Sequence, residues 1–227
     1  MFGGYGNAYK QIRKFDPKSK RCSVFDAEYN VWSARACTVD EDIYVVGGYL
    51  KAIHGPTGNI LRWTGYDLVD TGMKLRIPRY YHCMVSYGNS IYVIGGLDDH
   101  GNNLNTCEVI HISTNQVYEM PSMKEKRTYA AATLVGDQIF VLGGYDDTSE
   151  LNSVEVYDIS TMTWSSSTSM TTERWCHEVI YCNGKIYVIG GNVKDIQSFI
   201  PNNPTRNWQI ECKLPGSSEL RSSVIPW

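Results

Sequence analysis

A strongly apolar phrase that ends in two glycines recurs along the chain at nearly constant spacing. It reads IYVVGGY, IYVIGGL, IFVLGGY and IYVIGGN at 43–49, 91–97, 139–145 and 186–192, and a shortened form, MFGGY, stands at 1–5. The intervals between successive glycine pairs are 44, 48, 48 and 47 residues. A steady period of this length identifies a repeat protein, in which each repeat is one supersecondary unit and neighbouring units share a continuous core.

The copy at 127–170 predicts four antiparallel strands. AAATLV at 130–135 and IFVL at 139–142 are apolar runs joined by a short glycine-containing turn, which is the pattern of a β-hairpin. The more polar segments VEVYDI and TWSSST follow at 154–159 and 163–168. Because no window has a convincing 3.6-residue periodicity, we expect almost no helix.

The fall in apolar character from the first strand to the fourth predicts a radial arrangement, with the first strand nearest an axis. Four-stranded units of this length are typical of all-β propeller blades, and five copies predict about five blades. The glycine pairs are then expected to end the second strands, where positive φ and a close neighbouring blade require them. A phosphate cradle is excluded because no G-x-G-x-x-G or Walker spacing accompanies them.

The repeat resembles the kelch repeat, in which a strand ending in Gly-Gly is followed by a Tyr-Asp element and a tryptophan. VEVYDISTMTW at 154–164 matches it most closely. The resemblance is to the propellers of BTB-kelch (kelch-like) ubiquitin-ligase substrate adaptors, and it implies a kelch-type β-propeller of four-stranded antiparallel blades. Two arrangements stay open, a ring closed by a composite blade from both termini and a fragment of a larger, six-bladed ring. We expect one domain over 1–227 with repeats at 1–30, 31–78, 79–126, 127–173 and 174–220, and a further first strand beginning in 221–227.

Other residues recur in register with the glycine pairs. The kelch tryptophan is present as Trp164 and Trp208. An arginine, which we call the repeat arginine, lies sixteen residues before a glycine pair at Arg79, Arg127 and Arg174, and Val31 takes this place in an earlier repeat, with Arg35 nearby. His82 and His177 each follow the arginine by three residues. Recurrence in register predicts structural roles for these histidines rather than roles as ligands.

Two sets of loop residues are the candidate partner-binding site. Both are expected at one rim of the ring, because blades share an orientation, and the resemblance implies that kelch propellers bind partner peptides through these loops. Tyrosines are frequent binding hot spots, although packing between blades is an alternative role. The residues after the glycine pairs are Tyr5, Tyr49, Leu97, Tyr145 and Asn192, and those two after the repeat arginine position are Ser33, Tyr81, Tyr129, Cys176 and Ser223.

The segment at 49–65, which carries His54 and Trp63, is expected to be the longest of the rim loops. We expect it to form a wall beside the channel mouth. An extended acidic or neutral peptide is expected to lie across that mouth.

Composition and charge narrow the class of function. The net charge of −3 with no basic block predicts neither nucleic acid nor membrane as partner, and no apolar run approaches the roughly 20 residues that span a bilayer. The N-terminus lacks the pattern of a signal peptide. Seven cysteines, an odd number without a C-x-x-C pair, predict reduced thiols in a cytoplasmic protein. We find no catalytic or metal-ligand spacing, and therefore expect no cofactor and no enzymatic activity.

The sequence thus predicts a protein-interaction module. The resemblance implies the substrate-recognition part of a cullin–RING ubiquitin ligase adaptor, although we expect no BTB or BACK segment in this chain to recruit the cullin. The alternatives are an actin-binding or scaffold kelch protein and, with less support, a propeller enzyme. Repeat register places Tyr, Ser, Cys and Leu near the axis rather than convergent titratable residues, which favours binding over catalysis.

Overall fold

Four sheets of four antiparallel strands make up most of the computed structural model, which describes residues 11–16, 18–26, 31–201 and 207–214. A hairpin of β1 (Gln11–Asp16) and β2 (Arg21–Asp26) comes first. Blade I consists of β4 (Arg35–Val39), β5 (Asp42–Val46), β8 (Asn59–Trp63) and β9 (Leu68–Lys74). Beside it, β3 (Val31–Trp32) pairs with β6 (Tyr49–Leu50), which pairs with β7 (Gly55–Pro56).

The next three blades repeat the same order of strands. Blade II consists of β10 (Cys83–Tyr87), β11 (Ser90–Ile94), β12 (Cys107–His111) and β13 (Gln116–Met120). Blade III consists of β14 (Ala131–Val135), β15 (Gln138–Leu142), β16 (Val154–Asp158) and β17 (Thr163–Ser167). Blade IV consists of β18 (His177–Cys182), β19 (Lys185–Gly190), β20 (Asp195–Phe199) and β21 (Gln209–Lys213). The predicted all-β fold of four-stranded blades is confirmed, and single 3₁₀ turns at Lys51–Ile53 and Ile112–Thr114 are the helical elements of the described residues.

The blades are arranged radially, as the gradient of apolar character predicts. The first strands β4, β10, β14 and β18 pack against one another in chain order and form an inner arc. The fourth strands lie outermost, and every residue of β21 is exposed. The second and third strands of adjacent blades bury apolar side chains against each other, such as Val93 and Ile110 of blade II in one cluster with Ile60 of blade I. A side chain fully buried in this way stabilises the fold by about 1.5–3 kcal/mol.

The glycine pairs end the second strands and abut the next blade. Gly95 and Gly96 have φ values of +64° and +102°, and a Cβ on Gly95 would lie 2.4 Å from the carbonyl oxygen of Arg127 in the next repeat. The amide of Gly96 donates to that same oxygen at 2.8 Å. The amides of Gly48 and Gly144 make the same contact with the repeat arginines that follow them, at 2.8 and 2.7 Å. Positive φ and a close neighbouring blade, the two predicted reasons for glycine, are both confirmed.

The repeat arginines are fully buried and join the second and third strands of their own blades. Arg79 donates to the carbonyl oxygen of Gly95 at 2.9 Å and to the carboxylate of Glu108 at 2.7 Å. Arg127 makes the same two kinds of bond, to Gly143 and Glu155. A buried charge of this kind is tolerated when it is paired and hydrogen-bonded.

Blade IV departs from this pattern. Arg174 donates to the carbonyl oxygen of Gly190 at 3.3 Å, but the side chain that stands on β20 where blades II and III have a carboxylate is the neutral Gln197. Within the described part of the chain, Nη2 of Arg174 has no hydrogen-bond partner. Burial lowers the pKa of this guanidinium, and Asp195 partly opposes that shift. Blade IV therefore contains a buried cation without the carboxylate that pairs with the repeat arginine in blades II and III.

The recurring histidines and tryptophans connect neighbouring blades. Cε1 of His82 lies 2.9 Å from the point where a Cβ on Gly47 of the preceding blade would stand, and His177 has the same relation to Gly143. The indole of Trp164 donates to the carbonyl oxygen of Pro121 at 2.8 Å, again in the preceding repeat. The predicted structural role of the histidines is confirmed.

The long rim loop expected at 49–65 is shorter in the structure. Asn59–Trp63 is strand β8 and pairs with β5. Trp63 is only 8% exposed and packs with Leu61 and Leu68, so it is a core residue and the expectation that it stands in a wall at the rim is wrong. The loop proper ends before Asn59. Tyr5, Ser223 and the two arrangements for completing the ring concern residues outside the described ranges, and the repeat boundaries stay a prediction.

Candidate functional site

The two predicted loop sets lie side by side on one face of the propeller. In blade I, Tyr49 pairs with Trp32. The equivalent pairs in blades II and III are Leu97 with Tyr80 and Tyr145 with Thr128, while in blade IV the amide of Trp175 donates to Oδ1 of Asn192 at 3.2 Å. The residue after each glycine pair therefore meets the residue after the repeat arginine position. We call this surface the rim face.

Four residues of the rim face have a left-handed backbone although none is glycine. Ser33, Tyr81, Tyr129 and Cys176 have φ values of 56°, 54°, 55° and 54°. Residues other than glycine seldom adopt this conformation, which costs about 1–3 kcal/mol for each. All four stand at the same repeat position, two after the repeat arginine. The strain is thus a property of the repeat.

A relay of backbone hydrogen bonds joins these four residues around the axis. The amide of Tyr81 donates to the carbonyl oxygen of Ser33 at 3.2 Å. The amide of Tyr129 donates to Tyr81, and that of Cys176 to Tyr129, each at 3.0 Å. Each bond runs from one blade to the one before it. The relay therefore links the left-handed residues of successive repeats in fixed positions on the rim face.

Six half-buried aromatic rings form a continuous track on the rim face, which we call the aromatic arc. The centroids of Tyr81 and Tyr129 are 4.1 Å apart, and those of Tyr129 and Trp175 are 5.6 Å apart. At the other end, Trp32 lies 4.6 Å from Tyr49 and 6.1 Å from Tyr81. Burial, followed by the neighbouring tyrosine, raises the pKa of Tyr129, so its hydroxyl keeps its proton. The arc consists of Trp32, Tyr49, Tyr80, Tyr81, Tyr129 and Trp175.

The arc ends at a carboxylate beside a cleft. The indole of Trp175 donates to Oε1 of Glu150 at 2.8 Å, and the side-chain amide of Asn192 donates to Oε2 at 2.6 Å. A cleft of about 440 Å³ opens between blades III and IV at this point, and we call it the Glu150 cleft. It is lined by Val193 and by the polar residues Glu150, Asn152, Thr171, Thr172, Glu173 and Asn192.

An ion pair spans the inner arc of first strands. Nη1 of Arg35 on β4 of blade I lies 3.3 Å from Oε1 of Glu178 on β18 of blade IV, although blades II and III lie between the two residues along the chain. Nε of Arg35 also donates to the carbonyl oxygen of His82 at 3.2 Å. Burial raises the pKa of Glu178, while Arg35 opposes the shift. The expectation of Tyr, Ser, Cys and Leu near the axis missed this pair.

The predicted site residues divide into four groups. Tyr49, Tyr81 and Tyr129 belong to the aromatic arc, while Leu97, Asn192, Ser33 and Cys176 hold the rim contacts described above. Tyr145 lies on the same face and is 38% exposed. Tyr5 and Ser223 lie outside the described residues. That these side chains bind a partner stays a prediction.

Sequence reasoning missed Trp32, Tyr80 and Trp175, which complete the arc. The signal was present, because all three directly follow the repeat arginine position. The ion pair had a signal too. Arg35 and Glu178 occupy one repeat position, four residues after Val31 and Arg174 respectively. Opposite charges at a position that faces the axis indicate a contact across it.

Three of the thiols are unsuited to nucleophilic chemistry. Burial raises the pKa of the Cys37, Cys83 and Cys107 thiols to about 12, so these sulfurs are protonated and are poor nucleophiles. Over the described ranges, no three His, Cys, Asp or Glu side chains gather as a metal ion would need. No helix in the same part of the chain is long and apolar enough to cross a membrane.

Comparisons with known proteins agree with the fold. A family model described as the KLHDC2/KLHL20/DRC7 Kelch-repeats domain matches residues 33–213. Kelch-like protein 40 of Xenopus laevis is 33% identical over 210 residues, which are 84% of this chain and 33% of that protein. Its Xenopus tropicalis counterpart is 26% identical over 232 residues, which are 92% of this chain and 37% of that protein.

The chain is also similar to a plant protein whose name combines the kelch repeat with an F-box. An F-box/kelch-repeat protein of Arabidopsis thaliana is 33% identical over 132 residues, which are 56% of this chain and 34% of that protein. The chain thus spans about a third of the length of each of these relatives.

Proposed function

Because this chain belongs to the family of the KLHDC2/KLHL20/DRC7 Kelch-repeats domain, we propose that it binds a partner protein by a peptide segment laid along the aromatic arc. Similarity to kelch-like relatives supports a non-enzymatic interaction module. Fold alone does not locate a site. The contacts of the rim face support this location of binding.

One observation carries the proposal. Ser33 and Cys176 take part in the same relay and have the same left-handed backbone as Tyr81 and Tyr129, yet their side chains are small. The relay therefore does not require a tyrosine. The rings at 81 and 129 are large, rigid and only half-buried, which suits a binding hot spot at low entropic cost.

We further propose that the partner is a substrate, and that the propeller is the substrate-recognition part of a cullin–RING ubiquitin ligase adaptor. The support is similarity to proteins named kelch-like and F-box/kelch-repeat, each about three times as long as the matched part. A separate BTB–BACK segment would hold the cullin. The proposal places the activity in the cytoplasm, where the seven free cysteines stay reduced.

Site-specific photo-crosslinking tests the binding face. A photoreactive phenylalanine analogue replaces Tyr145 on the rim face in one variant and Tyr118 on the outer strand in the other, which are 38% and 46% exposed. We expect a crosslinked partner from position 145 and none from position 118. Equal crosslinking from both, or from 118 alone, would overturn the proposed site.

A pair of double variants tests the tyrosines themselves. Tyr81→Ala with Tyr129→Ala should weaken binding of the crosslinked partner by about 1–3 kcal/mol for each ring. The control, Tyr66→Ala with Tyr118→Ala, removes two exposed rings from other surfaces and should bind normally. A rim variant that melts cooperatively and keeps full affinity would contradict the proposal.

Purification of the endogenous full-length protein tests the ligase role. Recovery of a cullin together with the crosslinked partner is the expected result. Recovery of that partner without a cullin would overturn the adaptor role and leave the binding role intact. Cosedimentation with filamentous actin that depends on Tyr81 and Tyr129 would instead support the actin-binding alternative.

A further inference from the structure

We infer that the peptide on the aromatic arc is cationic, and that one of its lysine or arginine side chains enters the Glu150 cleft. This inference rests on the proposed function and names the chemical class of its partner. It is carried by two features that meet at Trp175, the charge of the cleft and the aromatic surface that leads to it.

The cleft carries two carboxylates and no basic side chain in its lining. Glu150 and Glu173 stand in it among the amides of Asn152 and Asn192 and two threonine hydroxyls. Every polar group in the lining is therefore either anionic or neutral. An ammonium or guanidinium group finds acceptors of the right charge and type there.

Glu150 is held in place without being neutralised. It is half-buried, and its two oxygens accept from the neutral indole of Trp175 and the neutral amide of Asn192. Among the ion pairs of the described residues, none includes Glu150 or Glu173. A fixed carboxylate whose charge has no counterpart is preorganised for a cation brought by a ligand.

The buried guanidinium of Arg174 beside the cleft does not reverse its negative charge. The guanidinium of Arg174 lies close to the cleft, since its Nε donates to the hydroxyl of Thr172 at 3.3 Å. It is fully buried and cannot touch a ligand, and Asp195 contributes an opposing charge. The two carboxylates of the cleft therefore remain in excess.

The aromatic arc favours the same ligand. Tyrosine and tryptophan rings attract cations to their faces, and the effect is strongest for tryptophan. Trp175 stands at the end of the arc and bonds the carboxylate of the cleft, so a cationic side chain beside Glu150 also lies beside an indole. The sequence led us to expect an acidic or neutral peptide, but an acidic one would meet Glu150 and Glu173 as like charges. The cationic peptide replaces that expectation.

Selection from a display library of short random peptides tests the inference. The wild-type protein should enrich peptides that carry lysine or arginine, and matched peptides with glutamine or glutamate in its place should bind about tenfold more weakly or worse. The Glu150→Gln, Glu173→Gln variant should lose this preference, because each glutamine keeps the size and hydrogen-bonding ability of the side chain but not its charge. The control, Glu41→Gln with Glu119→Gln, removes the same charge from a turn and an outer strand and should retain it.

The outcomes separate this inference from the proposed function. Peptides whose binding depends on Tyr81 and Tyr129 but shows no cation preference would overturn the inference and leave the proposed function standing. A preference unchanged by the Glu150→Gln, Glu173→Gln variant would also overturn it. Failure of the wild-type protein to retain any peptide above the Tyr81→Ala, Tyr129→Ala variant would overturn both.

Discussion

The amide of Tyr129 donates a 3.0 Å hydrogen bond to the carbonyl oxygen of Tyr81, and both residues have a left-handed backbone. The bond joins two blades at the inner end of their loops. Each left-handed residue thus takes part in a hydrogen bond to a neighbouring blade, and this bond offsets part of its backbone strain. The rim face is therefore a stiff support for the rings that it presents.

Glycine should be better than alanine at position 81. Tyr81→Gly and Tyr81→Ala lose the same ring, but glycine adopts positive φ without the Cβ clash, which is worth about 1 kcal/mol. We expect Tyr81→Gly to be more stable than Tyr81→Ala in urea unfolding. At Val93, in the middle of β11, the same pair of substitutions should rank in the opposite order. Equal stability of the two variants at position 81 would argue against strain there.

The first glycine of a pair should tolerate no side chain. Gly95→Ala places a Cβ 2.4 Å from the carbonyl oxygen of Arg127 in addition to its positive φ. Gly136→Ala is the matched control, because its φ is +58° but nothing lies within 4 Å. We expect Gly136→Ala to lower the free energy of unfolding by about 1–2 kcal/mol. Gly95→Ala should lower it by at least about 2 kcal/mol more than that, as measured by urea unfolding. Similar costs would mean that blade contact does not explain the glycine.

The strands of the blades could be predicted from the sequence because the residues that form one blade are close together along the chain. The hairpin, the glycine pair and the Tyr-Asp-Trp segment of blade III all lie within about 45 consecutive residues, and their period repeats. The third strand of blade I, β8, was not predicted because no Tyr-Asp-Trp segment marks it in the sequence. The loop before it also contains the short strands β6 and β7. Trp63 was thus interpreted as a rim residue although it belongs to the core.

The site was less predictable because it forms between repeats. Repeat register placed Tyr49, Tyr81 and Tyr129 on one face, but ring contacts depend on which way a left-handed residue turns its side chain. The bond between Trp175 and Glu150 joins residues 25 positions apart, across the boundary of blades III and IV. The pairing of Arg35 with Glu178 depends on the curvature of the inner arc, which no single repeat encodes.

The two buried histidines should make the fold acid-sensitive. Burial, then Arg174, lowers the pKa of His177 to about 3, and burial with Arg79 and Arg35 lowers that of His82 well below its usual value. In the unfolded chain both titrate near pH 6.5. The contribution of the two histidines to the free energy of unfolding is therefore fully present above about pH 6.5. It is lost as pH falls below that value, because the imidazoles bind protons in the unfolded chain but stay neutral in the folded protein.

For each histidine, the free energy of unfolding should fall by about 2 kcal/mol when the pH is lowered from 7 to 5. Urea unfolding at the two pH values measures the loss. His177→Asn removes one titrating group, so its stability should fall by about 2 kcal/mol less than that of the wild type over the same interval. An identical loss in the variant would show that His177 is not the cause.

A carboxylate at position 197, equivalent to Glu108 and Glu155 in blades II and III, should stabilise blade IV. Gln197 is fully buried, accepts from the amide of Thr171 at 3.1 Å and donates to the hydroxyl of Thr172 at 2.7 Å. In Gln197→Glu, one oxygen keeps the bond to Thr171, and the hydroxyl of Thr172 can rotate to donate to the other. The carboxylate also supplies a counter-charge for Arg174, whose Nη2 has no partner in the described part of the chain.

We expect Gln197→Glu to raise the free energy of unfolding by about 1–3 kcal/mol at pH 7, since it completes a buried pair whose cation is already present. Arg174 should hold the pKa of the new carboxyl below its unfolded value of about 4.3, so the gain should be present above that pH and disappear as pH falls through the folded value. Gln209→Glu on exposed β21 is the matched control for the change in net charge and should have little effect. Glu108→Gln makes the reverse change in blade II and should cost about 3 kcal/mol, because it leaves Arg79 buried and unpaired. A Gln197→Glu protein no more stable than the Gln209→Glu control at pH 7 would mean that Arg174 does not need the missing charge.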